Sequence, residues 1–312
     1  MAWPSIGGPA GLTSTSSTSE PAIPPKKRLG KYEPRPFRAR EVRSSGVRPT
    51  KSLGQHFLQD WSVVNRIVKA TIGSPNETVI EVGPGLGVLT QSLAEQAGRL
   101  IAVEIDARLA GRLEAQFAGQ PSVSVMQYDV LAVPPETLLV EAGMSEDAPY
   151  RVVGNLPYNA GAAIVRHFLE AAHQPQSLVV MLQREVADSM VAGPGQMSLL
   201  GVSVQVYATA RKLFNVPPRA FYPPPKVTSG VVRLDVRAEP LVPRDELDAF
   251  FKVVRAGFSA PRKQLRNTLA QGLGAPPGDV AEAIEAAGID PSLRPQDLGV
   301  DAWLALTREL GG

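Results

Sequence analysis

The sequence predicts an α/β fold: a largely parallel sheet wrapped by helices, followed by a small helical domain. Three observations predict it. Between residues 60 and 182, short apolar runs alternate with helically spaced ones, the pattern of strand–helix–strand units that build a parallel sheet. A glycine-rich turn, Gly83 to Gly87, joins the first of those runs to a helix. Beyond about Pro243 the strand-like runs stop and only helical spacing remains.

The elements follow in order. Val63, Val64, Ile67, Val68 and Ile72 share one face of a helix that begins after Asp60. Thr78 to Val82 is a buried strand, and Leu89 to Gln96 the helix beyond the turn. Leu100 to Glu104 is a second strand, and Ala107 to Phe117 a helix with Leu109, Leu113 and Phe117 on one side. Val123 to Met126, Tyr150 to Gly154 and Ser177 to Leu182 continue the sheet, with a helix at Ala162–Ala171. Thr209 to Phe214 and Gly230 to Val236 form a strand pair at the sheet edge, separated by a loop stiffened by Pro217, Pro218, Pro223, Pro224 and Pro225. Helices are expected at Asp245–Phe258, Pro261–Gln271, Val280–Ala287 and Pro295–Leu310. The domain boundaries are therefore 1–50, 51–240 and 241–312. Residues 1–50 are rich in Ser, Thr, Pro and Gly, then in Arg and Lys, and are expected to form a disordered basic extension. A nucleic-acid arm, a transit peptide or an extension without function would each have such a composition. The near absence of basic residues from its first half argues against the transit peptide.

Composition narrows the chemistry. The chain has no cysteine, which excludes disulfides, thiolate metal sites and cysteine nucleophiles. Its three histidines, His56, His167 and His173, make a histidine-rich metal site an unexpected outcome. No apolar run is long enough to span a bilayer and the N-terminus has no continuous apolar signal region, so a cytoplasmic protein is expected. Net charge is only +2, but it is segregated: residues 1–50 hold 9 Lys and Arg against 3 Asp and Glu, and residues 211–270 hold 12 against 5. Basic blocks flanking an acidic body suit a polyanion gripped by particular segments.

Two motifs carry chemistry. The first strand runs into Glu81-Val82-Gly83-Pro84-Gly85-Leu86-Gly87. Glycines let backbone approach a ligand, and the following helix offers free N–H groups. The spacing is Gly-x-Gly-x-Gly rather than that of a dinucleotide fold, and it favours an adenosyl-methionine loop. Glu104 and Asp129 follow the ends of successive strands, where a carboxylate can accept from ribose hydroxyls and from an adenine amino group respectively. Asp106 is expected to cap a helix. The second motif, Asn155-Leu156-Pro157-Tyr158-Asn159, follows the fourth strand. An exocyclic amine conjugated to a purine is a poor nucleophile. Two acceptors, the Asn155 side-chain oxygen and the Pro157 carbonyl, would hold its hydrogens and aim its lone pair at a methyl donor. Tyr158 offers a stacking face, and Phe221 a second one.

With Gly54-Gln55-His56-Phe57-Leu58, Val103-Glu104-Ile105-Asp106, Asp129-Val130-Leu131, Phe221-Tyr222-Pro223-Pro224-Pro225-Lys226-Val227 and Arg262-Lys263-Gln264-Leu265-Arg266-Asn267, these motifs resemble the ribosomal RNA small-subunit adenine dimethyltransferase family, the kasugamycin-sensitivity type, from about Lys51 to Leu310. The resemblance implies a Rossmann-like class I methyltransferase sheet and S-adenosyl-L-methionine as cofactor, touched by His56, Leu58, Gly83, Glu104, Asp129 and Asn155. It implies catalysis by Asn155, Tyr158 and Phe221, and no metal. It further implies N6,N6-dimethylation of two adjacent adenines in the 3′-terminal hairpin loop of 16S rRNA, late in assembly, on a pre-30S particle. The enzyme is expected to act as a monomer with no membrane association. Arg255, Arg262, Lys263 and Arg266 fall near one face of adjoining helices, suited to RNA phosphates. Asn or His is usual at the position of His56. Pro261 stands where a basic residue is common, and the 50-residue extension departs from the family pattern. The nearest rivals are a 23S rRNA adenine methyltransferase of the macrolide-resistance type and an assembly factor whose catalysis is dispensable. Leu156 argues against DNA adenine methylases, which tend toward Asp-Pro-Pro-Tyr.

Overall fold

Nine strands and eleven α-helices are seen in a computed structural model that describes residues 54–311. The expectation for residues 1–50 lies outside the described residues. In chain order the elements are β1 Phe57–Leu58, α1 Trp61–Thr71, β2 Thr78–Val82, α2 Val88–Gln96, β3 Arg99–Glu104, α3 Ala107–Phe117, β4 Val123–Gln127, α4 Pro135–Glu141, β5 Tyr150–Asn155, α5 Gly161–Leu169, β6 Ser177–Gln183, α6 Arg184–Val191, α7 Leu199–Tyr207, β7 Ala208–Val216, β8 Phe221–Tyr222, β9 Ser229–Val236, α8 Leu247–Gly257, α9 Leu265–Leu273, α10 Pro277–Ala286 and α11 Val300–Glu309.

Seven strands form one sheet in the order β4-β3-β2-β5-β6-β9-β7. The first five are parallel, and β9 runs antiparallel to both its neighbours. The central strands are buried on both faces, as a sheet covered on both sides requires. One face packs on Val64 and Ile67 of α1 and Leu89 and Leu93 of α2. The other packs on Ile164, Val165 and Phe168 of α5. Helix starts are fixed by local chemistry: Asp60 accepts from Ser62 N (3.0 Å) and Asp106 from Arg108 N (3.1 Å). At the far edge, β7 shifts register between Lys212 and Phe214.

Register aligns the functional ends. Val82 is level with Val103 on one side and Gly154 on the other. Gly83, Glu104 and Asn155 therefore emerge together at the carboxyl edge. Chain order reverses between β2 and β5, the place where open α/β sheets bind ligands. Close approach of these two strands depends on Gly154, where an added Cβ would sit 2.6 Å from Val82 O.

Three departures from the sequence reading have physical causes. Helices α6 and α7 fill a stretch that the sequence leaves unassigned, and α7 (Leu-Leu-Gly-Val-Ser-Val-Gln-Val-Tyr) shows no clear period because it is buried nearly all round. The short ribbon β1–β8 pairs Phe57 with Tyr222 and Leu58 with Phe221, joining two motifs that no local signal connects. In the C-terminal region, Pro261 to Lys263 form a loop, and helix α9 starts only at Leu265, since the proline-bearing turn precedes it. The helices there pack around the fully buried Trp303, which lies against Phe258 (centroids 5.6 Å apart) and leaves no room for a side chain at Gly257. The same apolar cluster continues from Trp303 and Phe250 to Tyr207 and the β6 face of the sheet.

Candidate active site

The carboxyl edge of β2, β3 and β5 and the segment Gly54–Leu58 enclose a cleft. Its floor is the glycine loop. Gly83, Gly85 and Gly87 have φ of 67, 60 and 81°, a region that L side chains rarely adopt. A Cβ on Gly85 would also lie 3.2 Å from the Phe57 ring. The loop is tied down by Glu104: its Oε2 accepts from Gly85 N (3.0 Å) and its Oε1 from Asp106 N (3.0 Å). Burial pushes the Glu104 carboxyl up, and the Asp106 and Gly85 N–H groups oppose that shift. Each oxygen keeps a lone pair for a further donor. Beside it Asp106 caps α3, accepts from Gln55 Nε2 (3.3 Å) and pairs with Arg108 (2.7 Å), whose hydrogen bonds hold its carboxyl down at about 2.

The opposite wall is the Asn155 motif. Asn155 Nδ2 donates to His56 O at 2.9 Å, which anchors the amide by its nitrogen and leaves its oxygen as the acceptor. His56 is a junction: its Nδ1 meets Pro223 O at 2.8 Å and its ring lies 5.6 Å from that of Tyr158. Tyr158 is half-buried, and its hydroxyl meets Ser229 Oγ at 2.8 Å. The second acceptor differs from the expected one. Pro157 O already accepts from Ala160 N (3.1 Å) and Gly161 N (2.8 Å) at the start of α5, whereas among the described residues no backbone donor reaches Leu156 O. Two N–H groups satisfy one carbonyl, so Leu156 O is the better placed partner for Asn155 Oδ1.

The structure brings His56, Leu58, Gly83, Glu104, Asn155 and Tyr158 to one cleft. Asp129 stands apart from its lining, exposed beyond β4, with one oxygen capping the turn at Leu131 N (3.0 Å). Phe221 requires a correction. The residue is only 3% exposed and packs among Leu58, Val216 and Ala220, because the β1–β8 pairing sends Phe221 to that face and Tyr222 to the opposite one, against Phe57 and Leu86. In this conformation it anchors the proline loop and offers no stacking face. Arg255, Arg262, Lys263 and Arg266 are all exposed, on α8, the following loop and α9. Their arrangement spans a helix–loop–helix rather than the face of two helices.

Two of the lining residues to which the sequence assigns no role stand out. Ile105, exposed beside Glu104, presents an apolar platform at the mouth; an isoleucine between a strand-end acid and a helix-capping one is its signal. Glu81, from the glycine motif itself, is 1% exposed and neither of its oxygens finds a hydrogen-bond partner. Among the described residues no group of metal-ligating side chains is found, and no helix is long and apolar enough to cross a membrane.

A seven-stranded sheet with one reversed strand, a glycine loop at its switch point and an acid at the end of the next strand define a class I methyltransferase. The glycine loop, the spare acceptors of Glu104 and the unpartnered Glu81 fit the nucleoside and the cationic end of S-adenosyl-L-methionine. The sequence matches the ribosomal RNA adenine dimethylase family over residues 47–310, and the chain belongs to that family. It is 42% identical over 266 residues to the ribosomal RNA small subunit methyltransferase A of Dehalococcoides mccartyi (strain CBDB1), covering 85% of this chain and 90% of the relative. It is 42% identical over 270 residues to the enzyme of that name from Desulfitobacterium hafniense (strain DSM 10664 / DCB-2), covering 86% and 94%. Among solved structures it is similar to the 23S rRNA methyltransferase ErmE (TM-score 0.64, 30% identity, 82% of this chain and 100% of that one). A dimethyladenosine transferase from Plasmodium falciparum shares the fold (TM-score 0.68, 22% identity, 82% and 98%). The chain is thus an enzyme that methylates adenine in ribosomal RNA, with S-adenosyl-L-methionine as methyl donor.

Proposed function

We propose that this enzyme converts two adjacent adenines in the 3′-terminal hairpin loop of 16S rRNA to N6,N6-dimethyladenine, acting as a cytoplasmic monomer on a pre-30S particle late in assembly. The observation that carries the catalytic reading is the anchored Asn155 amide, whose nitrogen is held by His56 O and whose oxygen is left to face the cleft. Asn155 Oδ1 and Leu156 O accept the two N6 hydrogens, which turns the nitrogen lone pair toward the donor. Tyr158, braced by Ser229, supplies a face for the flipped-out base. When bound, S-adenosyl-L-methionine supplies an activated methyl group on a sulfonium. No strong base is needed in the protein, because the amine becomes acidic once methylated and loses its proton to water. One N–H remains after the first transfer, so one of the two acceptors still orients the nitrogen for the second.

Glu104 holds the ribose with its spare lone pairs, Gly83 and Leu58 form the walls, and Asp129 receives the adenine amino group from beyond β4. Arg255, Arg262, Lys263 and Arg266 grip RNA phosphates. The small-subunit substrate is supported by the higher identity to methyltransferases of that name than to the 23S enzyme. The test is to map methylated adenines in rRNA from a deletion strain and its complemented partner. Dimethyladenine lost and restored only in 16S rRNA supports the reading, and a change confined to 23S rRNA overturns it.

A further inference from the structure

The cleft has an unbalanced charge. Glu81 and Glu104 both line it, both are buried, and among the described residues no lysine or arginine does so. Their situations differ. Glu104 is held by two backbone N–H groups, whereas neither Glu81 oxygen meets a donor. Glu81 sits at the level of Ala102 and Val153 in the middle of the sheet, with apolar strands on both sides. The groups acting on it are Thr90 from α2 and Glu104 from β3; His56 and Asn155 line the same cleft, and Asp106, two residues beyond Glu104, is already paired with Arg108. Thr90 opposes part of the cost of charging it, yet its own hydroxyl also ends without a partner at hydrogen-bond geometry. A carboxylate buried in this way persists only by taking up a proton or by meeting a cation.

We propose that Glu81 is a proton-exchanging counter-charge: it is a neutral acid in the ligand-free enzyme, and it gives up its proton to solvent as the cationic methionyl end of the cofactor enters. The exchange balances, one O–H bond breaking as one positive charge arrives and one proton departs to buffer. Burial raises the Glu81 carboxyl to about 8, with the like charge of Glu104 adding to it, so the protonated form prevails at neutral pH. The inference rests on the cleft being the cofactor's seat. A neutral acid spares the empty cleft a second buried charge, and ionisation on binding matches the protein's charge to the ligand's only when the ligand is present.

The test is calorimetric titration of wild type and Glu81→Gln with S-adenosyl-L-methionine at pH 7 in buffers of differing ionisation enthalpy. With the carboxyl at about 8, wild type should release about 0.9 of a proton per cofactor bound, and Glu81→Gln close to none. S-adenosyl-L-homocysteine, which keeps the ammonium and lacks the sulfonium, locates the cation: release with both ligands assigns the ammonium, and release with the donor alone assigns the sulfonium. Tight binding with a buffer-independent heat in wild type overturns the proposal while leaving the seat intact. So does equal proton release in both proteins, which would place the titrating group elsewhere, His56 included. Failure of Glu104→Ala to weaken binding would instead remove the seat. Should Glu81→Gln not fold, the carboxyl band of ligand-free and loaded wild type, followed by infrared difference spectroscopy, reads the same loss of a protonated acid.

Discussion

Replacing Glu81 by Gln tests the burial energetics without any ligand. The side chain keeps its size and loses only its ability to ionise. Its carboxyl titrates near 4.5 in an unfolded chain and at about 8 in the folded protein. The folded pKa is raised, so the folded state binds more protons between those values and stability is lost as pH rises through that window. Below pH 4.5 the group is neutral in both states and costs nothing; above 8 it is ionised in both and the full penalty applies. Linkage makes the loss between pH 5 and pH 8 about 3.5 kcal/mol for this one group. The buried amide of the variant retains an unsatisfied polar cost, but one that does not change with pH. Urea unfolding of the two ligand-free proteins at pH 5, 6, 7 and 8, followed by tryptophan fluorescence, to which the buried Trp303 contributes, measures the difference. The variant should gain on wild type steadily as pH rises, becoming the more stable protein by pH 8. Parallel stability profiles would refute the reasoning, because they would show that Glu81 does not change protonation in this range.

Other expectations follow from named contacts. Asn155→Ala should leave cofactor binding measurable and lower methyl transfer by roughly 10²–10³-fold, the usual cost of one preorganised polar contact; turnover near wild type in a single-turnover assay would remove Asn155 from the mechanism. Glu104→Ala frees Gly85 N and Asp106 N as well as losing the ribose acceptors, so calorimetric affinity should fall by at least about tenfold. Neutralising Arg262, Lys263 and Arg266 together should weaken binding to the pre-ribosomal particle and reduce the slope of log affinity against log salt by about 2. An unchanged slope would place the RNA elsewhere. Gly154→Ala forces a methyl against Val82 O and should cost about 1–3 kcal/mol in denaturant unfolding.

The parallel sheet, the glycine loop and the acids at its edge could be read from the sequence because each depends on residues close in the chain. Thr78 to Val82 and the turn after it announce themselves in ten letters. The Asn155 motif was equally plain, but the choice of its second acceptor was not. Whether Pro157 O or Leu156 O is spare depends on where α5 begins, and that is fixed by packing of Gly161 against Leu182. Helix α7 hid because a helix buried on every side has no polar stripe to reveal its period. Phe221 was misplaced for a related reason: an aromatic between prolines suggests display, and only its pairing with Leu58 shows that the ring turns inward. Glu81 was visible as a letter, but its lack of partners is a property of three dimensions alone.

The ribbon between β1 and β8 also sets a timetable. His56 and Pro223 meet across 167 residues of chain, and His56 and Asn155 across 99. A growing polypeptide can form β2, β3 and β5 well before Pro223 has been synthesised, since those strands pair with neighbours nearer in sequence. The wall that Gly54 to Leu58 lends to the cleft can meet Asn155 earlier but is not fully fastened until then, because contacts of such long separation carry the largest loop-closure cost. The methyl-donor seat is thus finished only after nearly the whole sheet has been made, and a chain cut short before the proline loop would carry the glycine turn without the grip that completes it.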